Sequence, residues 1–169
     1  MMQLTQAQPN QLEEIVQMYE DVKKVMAKNN VYQWDGDYPN RDVLREDLRQ
    51  GNLYVIMKDG KVAAAVALDR HTPPEYDEIS WRDRSGSYLV VHRLCVNTEF
   101  QGQGISKMLV KEIENFAREK GYTSIRLDTQ TANEKAMNLY ESQGYEKRGE
   151  FYFPEFQIPF VAYEKALGR

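Results

Sequence analysis

At 169 residues, with 41% hydrophobic side chains, the chain has the length and composition of a folded domain, which argues against disorder as its default state. Its 22 Lys plus Arg against 26 Asp plus Glu give a formal net charge of −4, without the basic footprint of a nucleic-acid binder; this mild acidity suits either plain solubility or attraction of a cationic substrate. Cys95 is the one cysteine, so no internal disulfide can form, and His71 and His92 fall in no zinc-like spacing, so no metal is expected.

The opening stretch MMQLTQAQPNQLEE has neither a basic start nor an apolar core, and no apolar run reaches bilayer length; the expectation is a cytoplasmic protein without membrane contact. MMQLTQA reads as a short first strand. A helix follows, with Leu12, Ile15, Val16, Tyr19, Val22 and Met26 at helical spacing and Pro9 near its start. NVYQWDGDYP is turn-rich and aromatic, and RDVLREDLRQG is a short helix closed by Gly51. LYVIMKDGKVAAAVAL is a hairpin turning at Asp59-Gly60, and DRHTPPEYDEISWRDRSG is mostly loop. SYLVVHRLCV is a strand, and GISKMLVKEIENFAREKG is a helix whose apolar face carries Ile105, Met108, Leu109, Ile113, Phe116 and Ala117. TSIRLDT is a strand, NEKAMNLYESQG a helix ended by Gly144, and YEKRGEFYF and FVAYEKAL are two closing strands. The order β α α β β β α β α β β predicts a mixed α/β fold in one domain over residues 1–169, with a right-handed parallel crossover around residues 87 to 128.

The stretch FQGQGISK, between a strand and a helix, is the first chemical signal. A helix start carries unpaired N–H groups and partial positive charge, and Gly102 and Gly104 let the backbone approach a ligand without a Cβ in the way. The N–H groups of Gln103 to Ser106 are thus placed to wrap a phosphate or pyrophosphate. A P-loop pattern is absent, and a dinucleotide fingerprint fails because Lys107 stands where its third glycine belongs. From the turn alone, a tight connection that binds nothing is equally open.

The segment Gln101-Gly102-Gln103-Gly104-Ile105-Ser106 resembles the pyrophosphate turn of the GNAT family of N-acetyltransferases, in which Gln or Arg is followed by two variable residues, Gly, one variable residue, and Gly or Ala. Gln101 and Gly104 match; Ser106 departs at the last position but is small and keeps its N–H. NEKAMNLYESQGY is similar to a second family segment, with Asn133, Ala136, Leu139, Tyr140, Gly144 and Tyr145 in place. The element order also agrees with the family. The resemblance implies a central sheet splayed between the fourth and fifth strands and flanked by helices. It implies acetyl-coenzyme A as co-substrate, with its pyrophosphate on Gln101, Gly102, Gln103, Gly104, Ile105 and Ser106. The pantetheine arm is expected to pair with the main chain of Leu94, Cys95 and Val96, as an added strand pairs with an edge.

For Tyr140, the residues alone allow a buried tyrosine with a satisfied hydroxyl; the resemblance implies the proton donor to the departing thiolate, a task within reach of a phenol. Asn133 is a helix N-cap by position and, by the resemblance, lies next to the cofactor. An amine of pKa ~10 must lose a proton before it attacks, which costs about 4 kcal/mol at pH 7. His92 is a candidate base: it alternates with Val90, Leu94 and Val96, and some relatives, such as the arylalkylamine N-acetyltransferases, have a catalytic histidine four residues before the strand end. The alternative is a packed strand histidine, with Glu78 and Asp128 as weaker carboxylate candidates. Cys95 is not expected to be a nucleophile, since His92 alternates to the opposite face.

Trp34, Tyr38 and Trp81 fall in the family's variable loops and are candidate walls of an acceptor pocket, as is Tyr88, with Asp35, Asp37, Asp77, Glu78 and Asp83 beside them suited to a cationic amine; ordinary loop or core roles are equally open. The acceptor is expected to be a small amine or a peptide. The aromatic C-terminus, FYFPEFQIPFVAYEKAL, is either a homodimer seam or a pair of edge strands. A coenzyme A-binding module without turnover is the competing function.

Overall fold

The computed structural model describes residues 2–168; Met1, at the head of the expected first strand, and Arg169, at the end of the expected domain, lie outside them. The elements are β1 (Leu4–Gln6), α1 (Leu12–Lys28), α2 (Arg41–Arg49), β2 (Leu53–Lys58), β3 (Lys61–Asp69), β4 (Tyr88–Val96), α3 (Ile105–Glu119), β5 (Ser124–Gln130), α4 (Glu134–Ser142), β6 (Glu146–Phe151) and β7 (Phe160–Ala166). This is the order expected from sequence, with the additions of short 3-10 turns at Pro9–Gln11, Pro74–Glu78 and Thr98–Phe100. Pro9 therefore opens a 3-10 turn ahead of α1, and the long loop after β3 holds one turn of helix. The strands are ordered β1-β2-β3-β4-β5-β7-β6 in one mixed sheet.

The chain groups into two compact units, residues 1–68 with 92–113 and residues 69–91 with 114–169; β4 and α3 each run from one into the other. In the first unit β1, β2 and β3 are antiparallel neighbours, from Leu4↔Ile56 to Lys58↔Lys61. Asp59 and Gly60 have φ of 53° and 76°, the mirror-image turn that matches the twist of a hairpin. Against these strands α1 and α2 bury Ile15, Met18, Tyr19 and Leu44, with Leu53, Val55, Val62, Ala65, Trp34 and Cys95 in the same core. Each large apolar side chain so buried contributes about 1.5–3 kcal/mol, which explains why α1 forms on a sequence of modest hydrophobicity.

In the second unit β4 runs parallel to β5 from Tyr88↔Ser124 to Val90↔Arg126, while β5 continues to Gln130 paired with β7, and β6 closes on β7. The parallel ladder runs from Tyr88 to Val90, and β4 and β5 themselves run on to Val96 and Gln130. Tyr76, Trp81, Val90 and Ala162 form the second core, with Phe151 and Tyr88 against it. Phe151 stacks on Phe160, and Phe153 and Phe156 pack edge-on against them at the C-terminal hairpin.

One expectation fails within β4. Arg93 has φ +55°, outside the strand region, so two-residue alternation does not run through it. Val90 and His92 are therefore not placed on one face with Leu94 and Val96 by alternation, and Cys95 is not set opposite His92 by it.

Candidate active site

The first unit carries the glycine turn, a candidate main-chain cradle for an anion. Asn97 caps a 3-10 turn by accepting from the Glu99 N–H (2.9 Å), and the chain then reverses through Gly102 and Gly104 at φ +79° and +76°. Only glycine holds these values without strain, and no atom lies within 4 Å of where a Cβ would stand at either. The 15-residue helix α3 begins at Ile105, and its first carbonyl contact from this region is Met108 N–H to the Gly104 oxygen. Among the described residues, no acceptor engages the backbone N–H groups from Gly102 to Ser106. Lys58 donates to the Gln103 side-chain oxygen at 2.5 Å and lies 5.6 Å from the Phe100 ring, which adds positive charge beside the cradle. Open space, unpaired donors and a nearby cation fit a pyrophosphate.

Leu94, Cys95 and Val96 follow in β4. Cys95 is buried, and burial pushes its thiol well above the ordinary cysteine value, so it stays protonated and unreactive. That reason replaces the lost facing argument. His92 is half-buried and precedes Arg93. The left-handed backbone at Arg93 costs about 1–3 kcal/mol for a residue with a Cβ. Its surroundings hold it there. The Tyr19 hydroxyl donates to the Arg93 carbonyl at 2.5 Å, and the guanidinium grips both Asp47 oxygens at 2.9 and 2.7 Å while Nη1 donates to the Tyr38 hydroxyl at 3.0 Å. Burial opposes the Arg93 charge, and Tyr38 and Asp47 more than offset it, so its pKa is raised. A hydrogen-bonded charge pair of this kind contributes about 1.5–3 kcal/mol per bond, enough to offset the strain.

The second unit carries the tyrosine and carboxylate candidates. Asn133 caps α4, its side-chain oxygen accepting from the Ala136 N–H at 3.2 Å, and this sets the phase of the helix that carries Tyr140. Tyr140 is buried, with its ring 5.9 Å from Tyr145 and 5.8 Å from Tyr163. Its hydroxyl takes no hydrogen bond among the described residues. Burial, then the Asp128 carboxylate, push the phenol well above the ordinary tyrosine value. Asp128, half-buried on β5, accepts from the Tyr76 hydroxyl at 2.5 Å, and burial followed by Asp128 raises Tyr76 as well. Glu78 is exposed.

Of the loop residues, Trp34 is buried against Tyr19 at 5.3 Å, and Tyr38 is 41% exposed while bonded to Arg93. Trp81 is buried, donates its indole N–H to the Tyr76 carbonyl and, with Tyr88, brackets the Arg126 guanidinium at 4.4 and 3.8 Å. Asp83 braces its own loop. Burial opposes its charge, but hydrogen bonds from Thr123 and Ser85 more than offset that and hold its carboxyl well below the usual range. No sequence pattern pairs Arg93 with Asp47 and Tyr19, or Tyr76 with Asp128. The one available signal was a charge, Arg93, inside the apolar run VVHRLCV.

The sequence profile of the family described as Acetyltransferase (GNAT) family matches residues 13–145. The chain belongs to that family. It is 41% identical over 106 residues to N-acetyltransferase 8F1 of Rattus norvegicus, covering 63% of this chain and 44% of that protein. Over 120 residues it is 30% identical to the uncharacterized N-acetyltransferase YesJ of Bacillus subtilis, covering 69% and 66%. The chain thus spans under half the length of the rat relative. Among solved structures, a GNAT-family acetyltransferase from Streptococcus agalactiae superposes with a TM-score of 0.88 at 25% identity, covering 99% of this chain and 96% of that one. A Listeria monocytogenes GNAT-family acetyltransferase, at 20% identity and TM-score 0.76 over 98% and 95%, shares the fold. No helix among the described residues is long and apolar enough to cross a membrane.

Proposed function

We propose that residues 1–169 act as one acyltransferase domain that moves an acetyl group from acetyl-coenzyme A directly to a primary amine of a small molecule or peptide, in the cytoplasm. The observation that carries this reading is the glycine turn at Gln101–Ser106, with unengaged N–H groups and open space at the start of α3. Membership of an acetyltransferase family supports it, as do the names of the relatives.

Acetyl-coenzyme A supplies an activated thioester, so that a carbon–nitrogen bond can form as the carbon–sulfur bond breaks. The N–H groups of Gly102 to Ser106 bind the pyrophosphate, with Gln101 and Lys58 beside them. The main chain of Leu94, Cys95 and Val96 holds the pantetheine arm, and an N–H at Leu94 or Cys95 donates to the carbonyl oxygen as charge builds on it. Tyr140 passes its proton to the departing thiolate; its raised pKa keeps that proton on the phenol until the sulfur leaves. His92 takes the proton of the attacking amine. Asp128 is the second candidate for that role, favoured by its place beside Tyr76 and in the field of Tyr140. Trp34, Tyr38 and Trp81 stand as the residues that shape the acceptor's surroundings.

The test is thiol release from acetyl-coenzyme A across a panel of amines and peptides, alongside calorimetry with coenzyme A. Binding with amine-dependent release is the expected result. Binding with no release from any amine supports instead a module that senses acyl-coenzyme A. No heat at all removes both.

A further inference from the structure

We propose that Tyr19, Asp47 and Arg93 form a clamp that turns one peptide of β4 out of its ladder and fixes the Leu94 N–H as the donor to the thioester carbonyl. The proposal rests on the acetyltransferase reading above. A strand places its carbonyl and N–H groups toward its neighbours, in the plane of the sheet. The Arg93 carbonyl is instead taken by the Tyr19 hydroxyl, 2.5 Å away on α1 and buried in the core of the first unit. The Arg93–Leu94 peptide is trans, since among the described residues the one cis bond is Tyr38-Pro39. In a trans peptide the N–H points opposite to the carbonyl. The Leu94 N–H therefore points away from the core that holds Tyr19.

The orientation persists only while φ at Arg93 stays at +55°, which an arginine does not adopt unaided. The side chain is held from its far end. Asp47, in α2, receives Nε and Nη2 as a two-bond fork, and the two side chains are 14% and 12% exposed. Lysine cannot supply that fork, which explains why an arginine stands here. The third bond, to Tyr38, ties the clamp to the aromatic loop between α1 and α2. Arg93, Asp47 and Tyr19 are thus positioning residues, acting on a ligand through the Leu94 amide.

Tyr19→Phe removes one hydroxyl and keeps the ring; Asp47→Asn removes the charge from the fork; Arg93→Gly removes the fork but suits a positive φ. Each variant is assayed for turnover and followed by NMR at the Leu94 amide during titration with acetyl-coenzyme A. Each is expected to lower kcat at least about tenfold, with the KM for acetyl-coenzyme A within about twofold of wild type. The Leu94 resonance is expected to move on titration in wild type and much less in Tyr19→Phe. Because Asp47 acts through Arg93, Asp47→Asn on top of Arg93→Gly should cost nothing further. Should Asp47→Asn fail to fold, Tyr19→Phe carries the test. Wild-type kcat in Tyr19→Phe, or additive losses in the double variant, overturns the clamp. If wild type binds acetyl-coenzyme A without turnover, the acetyltransferase reading falls, yet the Leu94 titrations still decide the clamp.

Discussion

The two units offer a ligand different kinds of chemistry. In the first, left-handed backbone stands at Gly102, Gly104 and Arg93, and the candidate groups are the main-chain N–H donors of the glycine turn and of Leu94. In the second they are side-chain groups, the Tyr140 phenol and the Asp128 carboxylate with Tyr76 against it. The difference decides what each region tolerates. A main-chain donor survives most side-chain deletions and is lost when φ changes. A phenol survives small backbone adjustments and is lost with one oxygen.

The sharpest test of the side-chain half is Tyr140→Phe. The ring contacts with Tyr145 and Tyr163 remain, so the fold is expected to persist, while kcat drops about 100-fold or more with little change in the KM for acetyl-coenzyme A. The pH dependence has a definite sign. Burial and Asp128 raise the folded pKa of Tyr140, so the phenol keeps its proton across the neutral range. The loss of kcat due to its ionisation therefore lies above the ordinary phenol value of ~10, and Phe abolishes that limb. The same shift acts on stability. The folded state holds a proton that the unfolded chain gives up near pH ~10, so this contribution is full below that pH and is lost above it.

The main-chain half is tested by contrast at one turn. Gly104→Val places a β-branched residue at φ +76°, and the KM for acetyl-coenzyme A is expected to rise about tenfold or more, with a stability loss of about 1–2 kcal/mol. Ser106→Ala leaves its N–H in place and should change KM less than about twofold. Equal effects from the two would mean that the turn binds through side chains, and the contrast between the units would collapse. Steady-state kinetics and denaturant unfolding measure both.

The same contrast separates what was legible in the sequence from what was not. The turn could be read because glycine announces positive φ, and α4 because Asn133, Tyr140 and Gly144 sit at fixed helical spacing. The element order could be read from apolar periodicity throughout. Arg93 could not, since its φ is imposed by Tyr19 and Asp47, 74 and 46 residues away in the chain. Once one residue leaves the strand region, alternation ceases to report faces across it, and the reading of His92 on one face with Leu94 and Val96 failed for that reason. The Tyr76–Asp128 pair is hidden likewise: it joins a loop to a strand across 52 residues, and no local pattern marks it. Strain and pairing set by distant contacts leave no periodic trace.

The smallest expected effect falls on Asn133, a helix cap on α4. Its oxygen accepts from the Ala136 N–H, and its amide NH2 is of the kind that could also donate to the cofactor. Asn133→Ala removes the cap and should destabilise the fold by about 1 kcal/mol. Asn133→Asp keeps the accepting oxygen and adds a negative charge at a helix N-terminus, which is favourable, so stability should be at or above wild type. The aspartate cannot donate, however. If Asn133 serves only as a cap, Asn133→Asp retains the wild-type KM for acetyl-coenzyme A, and the activity of Asn133→Ala recovers at temperatures where it is fully folded. If its NH2 also binds the cofactor, Asn133→Asp is stable yet shows a raised KM.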